Sequence, residues 1–282
     1  MSLPPDFQLD EFVSRVLAED LGSSGDVTSK ATIAEDARFT AEMNCRQAIV
    51  VAGLEIAAAF FRALDPQIEI ELLVKDGDRA GHGTILARLS GRARAMLTAE
   101  RSALNTLQHL SGIATLTRQY VDAIEGTGTI LLDTRKTIPG LRVLQKYAAR
   151  MGGAQNHRMR LDDGVLIKDN HVAVCGGVAE AVSRAKAANT GLEVQVEVDR
   201  LDQIEPALLA GADRLLLDNM DPAMLREAVR LVNGRVPLEA SGGVTLETIR
   251  FLAETGVDYV SVGRITQSAP AVDIGLDYAL SR

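Results

Sequence analysis

Tryptophan is absent from this chain, and aromatic residues make up only 4% of it. Proteins that hold single-stranded nucleic acid need flat side chains for bases to stack on, so that class is disfavoured at the outset. Cysteine is nearly absent as well. Cys45 and Cys175 stand far apart and form no CxxC pair, so they read as free thiols, as in a reducing cytoplasm. No Cys or His spacing supports zinc. Long apolar runs are also missing: residues 48–61 are the most apolar stretch, yet Glu55 interrupts them and they are too short to span a bilayer. The opening MSLPPDFQLDEF lacks the basic-then-apolar order of a secretory leader. No repeat or low-complexity tract is present.

What is present is ordinary globular material. The 282 residues are 46% hydrophobic and 24% charged, which suits one large domain or two modest ones with a buried core. The net charge is −8 and the pI about 5.1. Against that acidic background, residues 133–171 hold eight basic and four acidic side chains and two of the four histidines. That local surplus of positive charge marks a place for a small anion. Nucleic acid would call for a basic face spread over a whole domain.

Two rhythms divide the chain. Residues 9–21 have helical apolar spacing and end at Gly22, before a loop in which Asp20 and Asp26 bracket a plain turn. Strands are expected at 39–43, 48–52, 68–74 and 84–89, with a helix at 54–64, which reads as an α+β arrangement. Thr98 is a candidate N-cap for a long helix carrying Leu104, Leu107 and Leu110. From about residue 129 the pattern becomes strand then helix. Strands are expected at 130–133, 165–168, 193–198, 214–218, 238–241 and 259–263, with helices at 179–188, 222–232 and 246–255. Short apolar strands joined by helices are parallel and buried on both faces. A (β/α) barrel fits better than a doubly wound sheet, because nearly every strand ends in a polar or glycine residue. In a barrel those ends converge on one mouth.

Three groups of residues carry chemistry. Arg135, Lys136, His157, Arg158 and Lys168 would direct several cations to that mouth, where a guanidinium can hold a carboxylate through two hydrogen bonds. Taken singly, each also reads as a solvated loop charge. Arg142, Lys146 and Arg150 recur at helical spacing and are expected to form a solvated helix face. Glu197 and Asp218 end neighbouring strands, placed to hold Mg²⁺ through its waters, to bind sugar hydroxyls or to stabilise a cationic carbon; as strand-end caps they would instead pair with arginine. Ser241, Gly242 and Gly243 precede a helix and, with Gly263 and Arg264 on the next strand, resemble a barrel phosphate site. Arg101 lies at the edge of an apolar helix stripe, either snorkelling to solvent or reaching into a second subunit.

In order along nearly the whole chain, AEDLGSSGDVTS, AERSALNTLQHLSGIAT, DTRKTIPGLR, GGAQNHR, LIKDNH, VEVD, LLLDN, EASGG and DYVSVG resemble the quinolinate phosphoribosyltransferase family. The resemblance implies an α/β fold with an N-terminal α/β sandwich over residues 1–112 and an open, partial (β/α) barrel of parallel strands over 113–267. Residues 268–282 are expected to pack back on the first domain. It implies a head-to-tail homodimer, and quinolinate and phosphoribosyl pyrophosphate as substrates. Arg135, His157, Arg158 and Lys168 would then grip the two quinolinate carboxylates, with Arg101 entering from the partner subunit. Thr134, Lys136, Glu197 and Asp218 would face ribose, pyrophosphate and Mg²⁺. Ser241, Gly242, Gly243, Gly263 and Arg264 would hold the 5′-phosphate. Ala154, Arg160, Arg264 and Gln267 depart from the usual pattern. Two other classes compete: a barrel lyase forming a Schiff base on Lys168 or Lys136, and a non-catalytic anion sensor. Transfer to nicotinate is a closer alternative, although the surplus of cations favours a dicarboxylate.

Overall fold

The computed structural model describes residues 7–278. The residues at 279–282 expected to return to the first domain, and residues 1–6 of the opening segment, lie outside it. In chain order the elements begin with α1 (Leu9–Leu21), α2 (Val27–Thr32), β1 (Arg38–Cys45), β2 (Ile49–Val50) and α3 (Leu54–Leu64). There follow β3 (Glu69–Leu72), β4 (Arg79–Ala80), β5 (Ile85–Arg92) and the long α4 (Ala93–Ala123). The second rhythm supplies β6 (Ile130–Leu132), α5 (Arg142–Gly152), β7 (Val165–Ile167), α6 (Asp169–Cys175) and α7 (Val178–Ala187). Then come β8 (Val194–Val198), α8 (Ile204–Leu209), β9 (Arg214–Asp218), α9 (Pro222–Val232) and β10 (Leu238–Ser241). The described chain closes with α10 (Ile249–Ala253), β11 (Tyr259–Ser261), α11 (Arg264–Gln267) and β12 (Ile274–Tyr278). Among the described residues, no helix is long and apolar enough to cross a membrane.

One compact unit takes in residues 7–116, 143–152 and 268–278. Its antiparallel sheet has the order β12-β1-β5-β3, with Ala41 opposite both Tyr278 and Leu89. Alternate residues Ala41, Met43 and Cys45 of β1 point into the core, as period-2 spacing requires. α1 and α3 close that core: the Phe12 and Phe60 rings meet edge to face at 6.1 Å. Asp76 accepts the amides of Gly53 (2.7 Å) and Leu54 (3.0 Å) and the Tyr147 hydroxyl (2.6 Å), so one carboxylate caps α3 and ties α5 to it. Burial and that bond to Asp76 push the Tyr147 phenol above its ordinary range.

Three expectations change here. Thr98 does not cap α4, which starts at Ala93; its hydroxyl donates to Arg94 O (2.7 Å) and Asp26 Oδ2 (2.9 Å). Asp26 is therefore more than part of a turn, since it also caps α2 by accepting the Ser29 amide at 2.8 Å. The Arg142, Lys146 and Arg150 face is not solvated: Lys146 is fully buried and Arg150 half-buried. Helical spacing places cations on one face, but it does not say what covers that face.

The other unit takes in residues 117–142 and 153–267. Its six parallel strands have the order β6-β11-β10-β9-β8-β7. From β7 to β11 each strand lies beside its successor, and β6 joins β11, so the order never reverses as it does in a doubly wound sheet. That is a barrel opened between β6 and β7; in the gap, only the single bridge Leu132–Gln155 is strand-like. Register fixes the inner face. Glu197, Leu216, Glu239 and Tyr259 form one row, and Asp218 pairs with Ser241 in the row nearer the carboxyl ends. Strand alternation then gives the apolar outer face to Val194, Val196 and Val198 on β8 and to Leu215 and Leu217 on β9, all buried under the flanking helices.

Candidate active site

The carboxyl end of β6 organises the basic side of the site. Asp133, fully buried, accepts the His157 amide on Oδ1 (2.8 Å) and Asn156 Nδ2 on Oδ2 (2.5 Å). Main-chain bonds between Gln155 and Leu131 and between Asp133 and Gln155 run alongside. The segment Asn156–His157–Arg158 is thus laid against the strand end that leads into Thr134, Arg135 and Lys136. Arg142 reinforces it from the start of α5, donating to Thr137 Oγ1 (3.2 Å) and Met159 O (3.3 Å).

Arg135 is half-buried, and its Nε is buried with no hydrogen-bond partner. Arg158, also half-buried, donates from Nη1 to Gly164 O at 2.9 Å. Burial, and then the charge of Arg135, hold the Arg158 guanidinium below its usual range. Two cations that repel each other, one with an unsatisfied buried N–H, make a place where a bound anion is stabilising.

Glu197 and Asp218 form the acidic side. Burial pushes both carboxyls above their usual range, and the charge of Asp218 pushes Glu197 further. Lys168, exposed at the end of β7, brings Nζ to 4.0 Å from Glu197 Oε2. Asn219 donates to Asp218 Oδ2 at 2.6 Å, while Lys136 and Lys168 partly offset the burial of that carboxylate. Lys136 is steadied through its main chain: its amide donates to Thr134 Oγ1 (3.0 Å) and its carbonyl accepts from Thr266 Oγ1 (2.9 Å). A side chain at Gly263 would lie 2.6 Å from Lys136 Cδ, so glycine there leaves room for the lysine.

Gly242 and Gly243 follow β10 with φ of +96° and +59°, and a Cβ on Gly242 would run into Asn219. Their amides have no acceptor within the protein among the described residues, which leaves both N–H groups for a ligand. The helix expected directly behind them is shorter than its spacing implied: α10 starts at Ile249, after a turn in which Thr245 N donates to Thr248 Oγ1 at 3.0 Å. Arg264, exposed, opens α11.

His157 packs its ring among other side chains of the barrel. Its Nδ1 accepts the Arg158 amide at 2.7 Å, and its Nε2 faces Gln195 Oε1 at 3.2 Å. Both ring nitrogens are thereby engaged inside the barrel. Arg101 lies exposed on α4 in the first unit. Of the departures from the family pattern, Ala154 is buried, Arg160 pairs with Asp162 at 3.0 Å on the surface, and Gln267 is exposed at the end of α11. Gln195, Arg214 and Glu239, which no motif singles out, also face the barrel interior near His157. Their signal was present: polar residues at inward positions of otherwise apolar strands, as in VQVEV, RLLLD and LEAS.

Fold and site together define a class of open α/β barrel proteins that carry a pair of half-buried arginines, a pair of acids and a glycine turn. Family models narrow it. Quinolinate phosphoribosyl transferase, N-terminal domain, matches residues 26–111, and the C-terminal domain of the same family matches residues 113–277. The chain belongs to the quinolinate phosphoribosyltransferase family. It is 41% identical over 275 residues to a probable carboxylating nicotinate-nucleotide pyrophosphorylase of Bacillus subtilis, covering 97% of this chain and 94% of that one. It is 43% identical over 273 residues to the carboxylating enzyme of Mycobacterium leprae, covering 94% and 95% of the two chains. The solved nicotinate-nucleotide pyrophosphorylase of Francisella tularensis superposes with a TM-score of 0.93 at 40% identity, covering 99% of this chain and all of that one.

Proposed function

We propose that this chain transfers the phosphoribosyl group of phosphoribosyl pyrophosphate to quinolinate and releases pyrophosphate and CO₂, giving nicotinate mononucleotide for NAD biosynthesis. The observation that carries this reading is the Arg135 and Arg158 pair, with one guanidinium N–H buried and unpartnered, on the same barrel as the Glu197 and Asp218 pair. A pyridine dicarboxylate answers the cations, and a ribose that develops positive charge answers the acids.

The ring nitrogen of quinolinate forms a bond to ribose C1 as the bond from C1 to pyrophosphate breaks. Positive charge builds on the sugar and negative charge on the leaving group. Glu197 and Asp218 stabilise the first, and Lys136 the second. The C2 carboxylate then leaves as CO₂; its electron pair stays on C2 beside the cationic ring nitrogen, and a proton replaces it. Little covalent help is needed, so holding ring and sugar in register supplies much of the rate. Arg135, His157, Arg158 and Lys168 grip the two carboxylates. Thr134, with Lys136, faces the ribose and pyrophosphate. Ser241, Gly242, Gly243 and Gly263 receive the 5′-phosphate, with Arg264 at its edge.

Glu197 and Asp218 fit Mg²⁺ held through its waters, because their shared burial and mutual repulsion are relieved by a divalent cation. Such an ion would neutralise charge on the departing pyrophosphate. The working form is a cytoplasmic homodimer in which Arg101 reaches the partner subunit's quinolinate pocket.

Incubation with quinolinate, phosphoribosyl pyrophosphate and Mg²⁺ should yield nicotinate mononucleotide, and nicotinate in place of quinolinate should not. A substrate adduct trapped by borohydride on Lys168 or Lys136, with no nucleotide formed, would replace this reading with a Schiff-base lyase. Binding of quinolinate without turnover would replace it with a sensor.

A further inference from the structure

We infer that Glu239 is a positioning residue for dicarboxylate recognition: together with Gln195 it holds His157 in one tautomer, and through the 157–158 peptide it aims Arg158. The inference rests on the proposed quinolinate reading of the site.

The geometry starts at the imidazole. Since Nδ1 of His157 accepts the Arg158 amide (2.7 Å), the ring proton of the neutral imidazole belongs on Nε2. That nitrogen faces Gln195 Oε1 at 3.2 Å and Glu239 Oε2 at 3.4 Å. Gln195 in turn donates from Nε2 to the same Glu239 oxygen at 2.8 Å. The Gln195 amide is therefore oriented, with its oxygen toward the ring and its NH₂ toward the carboxylate. Glu239 lies inside the barrel with its side chain 1% exposed. A carboxylate that deep is costly unless compensated, and Arg214 stands 3.9 Å away, its guanidinium 4.2 Å from the centroid of the Tyr259 ring.

The His157 amide is fixed separately by Asp133, so the residue is gripped at main chain and ring by two buried carboxylates. Behind it lies a cavity of ≈ 460 Å³, whose lining includes His157, Arg158, Gln195, Arg214 and Tyr259. Open space on that side cannot press the segment into place. The polar network has to do so. With both nitrogens engaged, the His157 ring fixes the residue that follows it.

The test begins with the wild-type protein. Nitrogen-15 spectra of labelled histidine should show His157 with its proton on Nε2, and a proton on Nδ1 or a tautomer mixture overturns the inference. Glu239→Gln turns the acceptor into a group that also donates, which misaligns Gln195 and the ring. Calorimetry should then show quinolinate binding weakened roughly ten- to a hundred-fold, with phosphoribosyl pyrophosphate binding little changed. Adding Glu239→Gln to a His157→Phe protein should cost nothing further. Additive losses, or equal losses for both ligands, overturn it. If Glu239→Gln does not fold, Gln195→Leu takes its place, since it removes the bridge while leaving Glu239 beside Arg214. Wild-type protein that turns over quinolinate while the cycle is additive rejects this inference alone; wild-type protein that does not bind quinolinate rejects the functional reading with it.

Discussion

The main-chain amide of His157 donates to the buried carboxylate of Asp133 at 2.8 Å, while Asn156 occupies the other oxygen at 2.5 Å. Two donors on one side chain require two acceptors. Asp133→Asn presents only one, so one donor is left facing an NH₂ group. A stability loss of about 1–3 kcal/mol is expected, or a melting temperature lower by several degrees. Quinolinate affinity should fall as well. Thermal unfolding and calorimetry that both match wild type would reject this account of how the segment is held.

Arg158→Ala separates the two substrates. Losing a charge-assisted hydrogen bond to a buried carboxylate costs about 1.5–3 kcal/mol, roughly 10- to 150-fold in affinity. The loss should fall on quinolinate and spare phosphoribosyl pyrophosphate. Equal losses by calorimetry would move Arg158 out of the dicarboxylate pocket.

Glu197→Gln should trade stability against turnover. Burial raises the folded-state pKa of Glu197, so the group favours the fold most at acid pH and that contribution is lost as pH rises through the raised value. The neutral variant escapes the loss. It should melt above wild type at neutral pH, and the gap should close toward acid. Turnover should drop about 100-fold or more, as for removal of a transition-state electrostatic group, with quinolinate affinity within a few-fold of wild type. A variant that melts lower at neutral pH would show that Glu197 is held by its partners rather than strained by burial. Asp218→Asn is expected to behave alike.

At Gly242 the backbone has φ of +96°, and an added Cβ would approach the Asn219 main-chain nitrogen to 2.9 Å as well as its side chain. Gly242→Ala should therefore distort the turn that we propose receives the 5′-phosphate. Raised KM for phosphoribosyl pyrophosphate, with quinolinate binding intact, is expected. Unchanged kinetics would place the phosphate elsewhere.

Arg101 tests whether two chains share a site. Arg101→Ala and Lys136→Ala subunits should each be inactive alone. A hybrid dimer would regenerate one intact site and leave the other lacking both residues. A statistical mixture is half hybrid, so activity should return to about a quarter of wild type, assuming isologous dimers with independent sites. No recovery, with hybrids confirmed by mass spectrometry, would show that Arg101 serves its own protomer or none.

Much of this was legible in the linear chain because it depends on local spacing. The six parallel strands follow from short apolar runs separated by helical ones, and their polar ends marked Glu197, Asp218 and the Ser241–Gly243 turn. The cations of DTRKT and NHR stand out by sheer concentration, and the fold sets Arg135 and Arg158 near enough to repel each other. Elements without such spacing were missed: α2 hid in a loop because its six residues are too few for periodicity, and β12 pairs with a strand more than 200 residues earlier.

Composition, charge patterning and motif order determined the family, the parallel α/β unit and which residue types could meet. What covers a face was decided only by tertiary structure. Lys146 has the same helical spacing as a solvated lysine, yet it is fully buried. His157 belongs to a motif rich in cations, yet its ring turns inward to Gln195 while the neighbouring guanidinium of Arg158 stays available beside Arg135. Glu239 reads as one polar letter in a strand and becomes the buried partner of that ring only when β8, β9 and β10 lie side by side and β6 joins the same sheet beyond β11. The reason is physical. Periodicity along the chain specifies the direction in which a side chain leaves its element, whereas its partner, its exposure and the cost of its charge depend on residues many positions away.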